Sequence, residues 1–107
     1  MKDEFLEHLL SIIKSKKNEN PKVSYTAMLQ QEDIIETLKK IEEEAFEVID
    51  AVKLKNKSNI VHELADLWFH CLVLLARQNL TVEDITNELK NRQGISGIEE
   101  KLNRVKK

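Results

Sequence analysis

Glycine, proline and cysteine are nearly missing from this chain. Two glycines and one proline among 107 residues leave little material for turn-rich architecture, and with 34% charged and 41% hydrophobic residues the composition fits a soluble, helix-rich globule. The single cysteine, Cys71, has no partner for an intrachain disulfide. It sits in an apolar run, where a buried position is expected, and a reducing cytoplasm is the compartment this suits. Neither sign of charge dominates. Lys plus Arg total 17 against 19 Asp plus Glu, a formal charge of -2, so no global basic field marks a nucleic-acid binder. The opening MKDEFLEHLL places acids where a signal peptide needs a basic start and an unbroken apolar stretch. The longest apolar run stops at Arg77 and Gln78, and no membrane span is expected. Length points to one domain over residues 1–107, near the size at which a partner subunit often completes the core.

What is present is helical periodicity, and it predicts an all-α bundle of about four helices. The first runs from about Asp3 to Lys14 and presents Phe5, Leu6, Leu9, Leu10, Ile12 and Ile13. A polar linker with the only proline follows, SKKNENPKVSYT. Ser24 or Thr26 then caps a segment that continues to about Lys55, with a break near Gln31 to Asp33. KNKS marks a turn, with Ser58 the expected cap of a third helix reaching about Gln78. Thr81 with Asp84 resembles a capping arrangement for a short fourth helix ending before Gly94. Residues 94–107, GISGIEEKLNRVKK, read as a tail that is basic at its end. The chain has no internal repeat, no heptad series long enough for a coiled coil, no low-complexity block and no strand signal of note.

The third helix carries the chemistry. Ile60, Val61, Leu64, Ala65, Leu67, Trp68, Phe69, Cys71, Leu72 and Leu74 cover most of its circumference, which leaves a narrow polar strip of His62, Glu63, Asp66 and His70. Carboxylates so placed must find a partner, shift their pKa or bind a metal. On the preceding helix, Ile41, Ala45, Val48, Ile49 and Val52 cluster on one face, with Glu44 and Glu47 on its border. Each helix therefore carries two acids three residues apart, Glu44 with Glu47 and Glu63 with Asp66. A turn in the short interval between the pairs makes an antiparallel hairpin the expected arrangement, and four carboxylates would converge. Hard oxygen ligands of this kind suit Mg²⁺ sharing its coordination with substrate phosphates. Four carboxylates and a polyphosphate carry more charge than one divalent ion neutralises, so more than one Mg²⁺ is expected with substrate, along with Lys or Arg on the phosphates.

Plainer readings apply elsewhere. Glu42, Glu43, Asp50, Glu99 and Glu100 are expected on solvated faces, with Glu43 next to the proposed ligands. Salt bridges from Glu63 and Asp66 to Lys39, Lys40 or Arg77 are the competing account of the polar strip. His70 is expected as a hydrogen-bonded core residue, His62 and His8 as surface groups, and Trp68 and Phe69 in the core or at a subunit interface.

The motif EExxE at Glu43 to Glu47, followed by ExxD at Glu63 to Asp66, resembles that of the all-α nucleotide pyrophosphohydrolases related to MazG and the dimeric dUTPases. With SYTAML, LKKIEEEAFEVIDAVK, ELADLWFHCLVLLA, LTVEDITNELKNR and SGIEEK in order across nearly the whole chain, the sequence is similar to the phosphoribosyl-ATP pyrophosphohydrolase family of histidine biosynthesis. The resemblance implies Mg²⁺-dependent hydrolysis of phosphoribosyl-ATP between its α and β phosphates, giving phosphoribosyl-AMP and pyrophosphate in the second step of that pathway. It implies Glu44, Glu47, Glu63 and Asp66 as metal-holding, catalytic residues, with Glu43 assisting. Lys40, Ser24, Tyr25 and Thr26, and in the C-terminal pattern Arg92 and Lys101, would bind phosphate or ribose.

The chain departs from the family pattern at Glu42 and Asp33, where glycine is common, and at Gln93, where histidine is frequent. The cyclohydrolase domain to which members of that family are often fused is not expected here. A homodimer with an active site built from both chains is also implied, and a helix apolar over most of its circumference needs such cover. Neither nucleic acid nor membrane is an expected partner. Two rivals share the motif: a housekeeping pyrophosphatase of ordinary nucleoside triphosphates, and a helical interaction module without activity.

Overall fold

A computed structural model of the chain describes residues 4–93, and within them five helices and no strand. These are α1 (Glu4–Ser15), α2 (Tyr25–Gln31), α3 (Ile34–Lys53), α4 (Lys57–Arg77) and α5 (Val82–Asn91). The all-α architecture is as expected. The segment predicted with a break near Gln31 to Asp33 is two helices, and the break has a cause. Asp33 takes an extended-side conformation and its Oδ1 accepts from the Ile35 N–H at 2.9 Å, so it caps α3 and ends the run from α2. An acid where the family commonly has glycine therefore has a structural role. Ser24 caps α2 by accepting from the Ala27 N–H at 3.1 Å. Thr81 and Asp84 form the complete reciprocal capping box of α5. One cap differs from expectation: Asn56, not Ser58, caps α4, its Oδ1 accepting from the Asn59 N–H while the Ser58 hydroxyl donates to the same oxygen.

The polar linker is tied down from α2. Gln30 is buried and its Nε2 donates to the carbonyls of Ile13 and Thr26, while Gln31 Nε2 donates to those of Lys17 and Glu19. The core gathers Leu10 and Ile13 of α1, Leu29 of α2, Leu72 and Val73 of α4 and Val82 of α5, with Leu6, Leu9, Phe69, Leu75 and Ala76 packed around them. All of the α4 residues in this core lie in its second half. Against α3, α4 packs from Glu63 to Arg77, in the most extensive helix contact among the described residues.

That hairpin leaves apolar surface open. Phe46 is 61% exposed on α3 and Trp68 is 58% exposed on α4, with Ile49, Val52, Val61 and Leu64 exposed beside them. Two expectations change accordingly. Ile49 and Val52 face outward, and it is the acid-bearing side of α3 that meets α4. Cys71 is exposed rather than buried, although the apolar neighbours it has still push its thiol pKa up. Phe69 packs on the intrachain core, so Trp68 marks the open face. By length and composition alone α4, with 21 residues, is long and apolar enough to cross a membrane, although Arg77 ends it. Its acids and its packing against α1, α2 and α3 are those of a bundle helix.

Candidate active site

Helical geometry aligns Glu63, Asp66, His70, Val73 and Arg77 in one stripe along α4, and Thr37, Lys40, Glu44, Glu47 and Ala51 in one along α3. The hairpin sets these stripes against each other. Thr37, Glu44 and Ala51 are the buried residues of α3, and Val73 is fully buried on α4. Carboxylate oxygens of Glu44, Glu47 and Glu63 lie within 4.8 Å of one another, and ligand atoms of His62, Glu63 and Asp66 form a second such group sharing Glu63. The four predicted acids thus meet across the hairpin. Glu44 sits inside the seam rather than on the border of an apolar face.

No lysine or arginine among the described residues pairs with these four acids. Lys39 lies 3.7 Å from Glu36 and Lys40 lies 3.8 Å from Glu43, both exposed pairs on their own helix. Arg77 donates instead to the carbonyls of Leu29 and Glu32 and to the Thr37 hydroxyl. The salt-bridge account of the polar strip is therefore excluded. The basic group present is His62, exposed, with Nε2 3.4 Å from Asp66 Oδ2.

Buried acids without cations repel one another. The Glu44 carboxyl is raised from an ordinary 4.5 to about 7, first by burial and then by contact with Glu47 and the charges of Glu47, Asp66 and Glu63. Glu63 is also raised, first through its contact with the Glu47 carboxyl and then by burial. Glu44 Oε2 and Glu63 Oε2 are buried with no hydrogen-bond partner among the described residues. Orphaned carboxylate oxygens in one small volume are a donor set that fits a hard divalent cation such as Mg²⁺.

His70 is a core residue, as expected. Its Nδ1 is 2.9 Å from the Asp66 carbonyl, which can only accept, so Nδ1 carries the hydrogen. The same nitrogen is 3.8 Å from Glu44 Oε1, and buried Nε2 has no partner among the described residues. The imidazole thus fixes the α4 backbone at Asp66 and packs beneath Glu44.

Glu42, Glu43 and Asp50 are exposed, in keeping with solvated faces, and so are His8 and Gln93. Glu42 shares the outward side of α3 with Phe46, away from the acids. Lys40 stands one turn before Glu44 on the inner stripe. Ser24, Tyr25 and Thr26 open α2, with the Ser24 hydroxyl oxygen engaged as a cap and Tyr25 exposed. Arg92 is the C-cap residue of α5, which packs on α1, and its Nε is 3.2 Å from Glu88 Oε1. Lys101, Glu99 and Glu100 lie outside the described residues. Sequence reasoning missed what Arg77 does, and it left His62 out of the acidic group it adjoins; an i, i+4 spacing to Asp66 was the available signal for the latter.

Comparison with known proteins agrees with this geometry. Residues 6–93 match the family model described as phosphoribosyl-ATP pyrophosphohydrolase. The chain is 46% identical over 110 aligned positions to a phosphoribosyl-ATP pyrophosphatase of Hydrogenovibrio crunogenus, covering 99% of this chain and 97% of the relative. It is 48% identical to that of Nitrosomonas eutropha, covering 92% and 85%. It is 45% identical to that of Neisseria meningitidis serogroup C, covering 98% of each.

The raised Glu44 pKa has a thermodynamic consequence. The folded chain holds this proton more tightly than the unfolded chain, so the metal-free protein loses stability as pH rises from about 4.5 to about 7. Thermal melts without divalent ions should show the midpoint falling through this window, with a shallower fall in Glu44→Gln, whose side chain cannot ionise. Equal slopes in the two proteins would contradict the assignment.

Proposed function

The chain belongs to the phosphoribosyl-ATP pyrophosphohydrolase family, and we propose that it works through Mg²⁺ held by Glu44, Glu47, Glu63 and Asp66. The activity is hydrolysis of phosphoribosyl-ATP to phosphoribosyl-AMP and pyrophosphate in histidine biosynthesis. The observation that carries the metal assignment is the meeting of these acids across α3 and α4, with the buried Oε2 atoms of Glu44 and Glu63 unpartnered and no lysine or arginine paired with the four acids among the described residues.

Mechanism follows from what the residues must do. Water forms a bond to phosphorus, the phosphoanhydride bond to the departing pyrophosphate breaks, and the water gives up a proton. Held by Glu44, Glu47, Glu63 and Asp66, Mg²⁺ would supply charge neutralisation for the polyphosphate and polarisation of its oxygens, and the charge of four carboxylates plus substrate would call for more than one ion. The carboxylates approach from two helices, and as anionic acceptors they would take up a substrate phosphate only through the Mg²⁺ they hold. One of the four accepts the proton of the attacking water. His62 orients the Asp66 carboxylate from solvent, and His70 holds the backbone beneath it. Lys40, one turn from Glu44, is placed to meet phosphate at the rim. Ser24, Tyr25 and Thr26 on α2, with Arg92 and Lys101, would hold the remaining phosphate and ribose groups. Glu43, already near Lys40, would tune that lysine.

The exposed apolar faces of α3 and α4 support a homodimer. Phe46, Ile49, Val61, Leu64 and Trp68 lie on the outer sides of the same two helices whose inner sides carry the acids. A second copy covering them would bury surface that a monomer of this size does not normally expose. The compartment consistent with a single free thiol is the cytoplasm.

Pyrophosphate release from phosphoribosyl-ATP should be abolished by EDTA, restored by Mg²⁺, and reduced by about 100-fold or more in Asp66→Asn, as loss of a ligand or base removes transition-state stabilisation. Faster turnover of an ordinary nucleoside triphosphate or dUTP would instead assign a housekeeping role to the same site. For the assembly, Trp68→Glu should shift the sedimentation coefficient to that of a monomer; an unchanged dimer would remove this face from the interface.

A further inference from the structure

Arg77 ends the inner stripe of α4, and its guanidinium is spent on neutral oxygens. One terminal nitrogen donates to the Leu29 carbonyl at 2.9 Å and to the Thr37 hydroxyl at 3.0 Å, and the other donates to the Glu32 carbonyl. Leu29 and Glu32 belong to the C-terminal end of α2, whose last carbonyls have no partner within the helix. Thr37 lies in the first turns of α3 and is buried. A single planar group therefore joins the end of α2, the α2–α3 junction and the start of α3, all to α4. Seven residues are too few for α2 to hold its own direction. The side chains of Gln30 and Gln31 tie it instead to the Ile13 carbonyl of α1 and to the linker carbonyls of Lys17 and Glu19.

We infer that Arg77 is a positioning residue for substrate binding: it sets the angle at which α2 presents Ser24, Tyr25 and Thr26 to a polyphosphate bound at the acids of the α3–α4 seam. This rests on the reading that the Ser24–Thr26 block contacts substrate. The carboxylates begin two turns along α3 from Thr37, the residue of that helix to which Arg77 donates, and there they are held by the packing of α3 on α4 and by His70. Loss of Arg77 should weaken substrate binding and leave the metal site intact. Lysine is no substitute, because a point ammonium cannot span three acceptors that a guanidinium fork reaches at once.

The test compares Arg77→Lys, Thr37→Val and Thr26→Ala with the unaltered chain, measuring KM and kcat for phosphoribosyl-ATP, Mn²⁺ affinity by electron paramagnetic resonance, and the melting temperature. Arg77→Lys should raise KM by about fivefold or more with kcat within about twofold, the pattern of lost binding common to ground and transition states. Mn²⁺ affinity should be unchanged. Thr37→Val, which removes one acceptor and keeps the side-chain shape, should move KM in the same direction by less, and it carries the test where Arg77→Lys is too unstable to assay. In Thr26→Ala/Arg77→Lys the effects on KM should combine to less than their product, because both act through one contact. A fall in kcat and Mn²⁺ affinity with KM unchanged would overturn the inference and leave Arg77 a fold-stabilising residue. An unchanged KM in Thr26→Ala would sink the substrate role of that block itself. A raised KM there, with an unchanged one in Arg77→Lys, would sink the clasp alone.

Discussion

The antiparallel register of α3 on α4 is the constraint on which the rest depends. Pairing runs from Glu47 with Glu63 at one end, through Glu44 with His70, to Thr37 with Arg77 at the other. A shift by one residue on either helix would rotate a stripe by about 100° and separate the acids. The two ends of this seam are chemically unlike. At the Arg77 end a half-buried cation is satisfied by backbone carbonyls and a hydroxyl, while at the other end the clustered acids have no lysine or arginine partner among the described residues. Repulsion between like charges is thus concentrated at one end, where a bound divalent ion would relieve it. The opposite end is fastened by hydrogen bonds that require no ligand.

The distribution of the core follows the same division. Leu72, Val73 and Phe69 join α1, α2 and α5 at the second half of α4. Among the described residues no third helix covers the apolar sides of the hairpin around Glu63 and Asp66, and Phe46 and Trp68 are exposed. The half of the bundle that bears the chemistry is also the half least supported within one chain. A second copy supplying that support would couple assembly to activity, since the helices positioning the acids would then be held from both sides.

Much of this was legible in the sequence. Acids three apart on two helices joined by a short turn were enough to bring Glu44, Glu47, Glu63 and Asp66 together, because the α-helical repeat and the hairpin leave few alternatives. The Thr81–Asp84 box and the break before Asp33 were legible from capping chemistry. Which face of α3 turned inward was not. Periodicity reports an apolar face without saying whether it meets the chain's own core or another surface, so Ile49 and Val52 read as core and Glu44 as border. Cys71 misled in the same way. Asn56 and Ser58 are both good caps, and the choice between them is made by backbone geometry. Arg77 was illegible for a different reason: two of its three acceptors are main-chain carbonyls, and no residue type in the sequence marks a carbonyl left free at a helix end.

Direct binding of Mn²⁺, a spectroscopically visible stand-in for Mg²⁺, tests the convergence of acids most directly, because it does not depend on substrate or turnover. The account predicts that the unaltered chain binds Mn²⁺ and that Glu44→Gln and Glu63→Gln, on facing helices, each weaken binding by about tenfold or more while both variants stay folded. Binding that withstands loss of either carboxylate, or that depends on the residues of one helix alone, would contradict a site assembled across the α3–α4 seam.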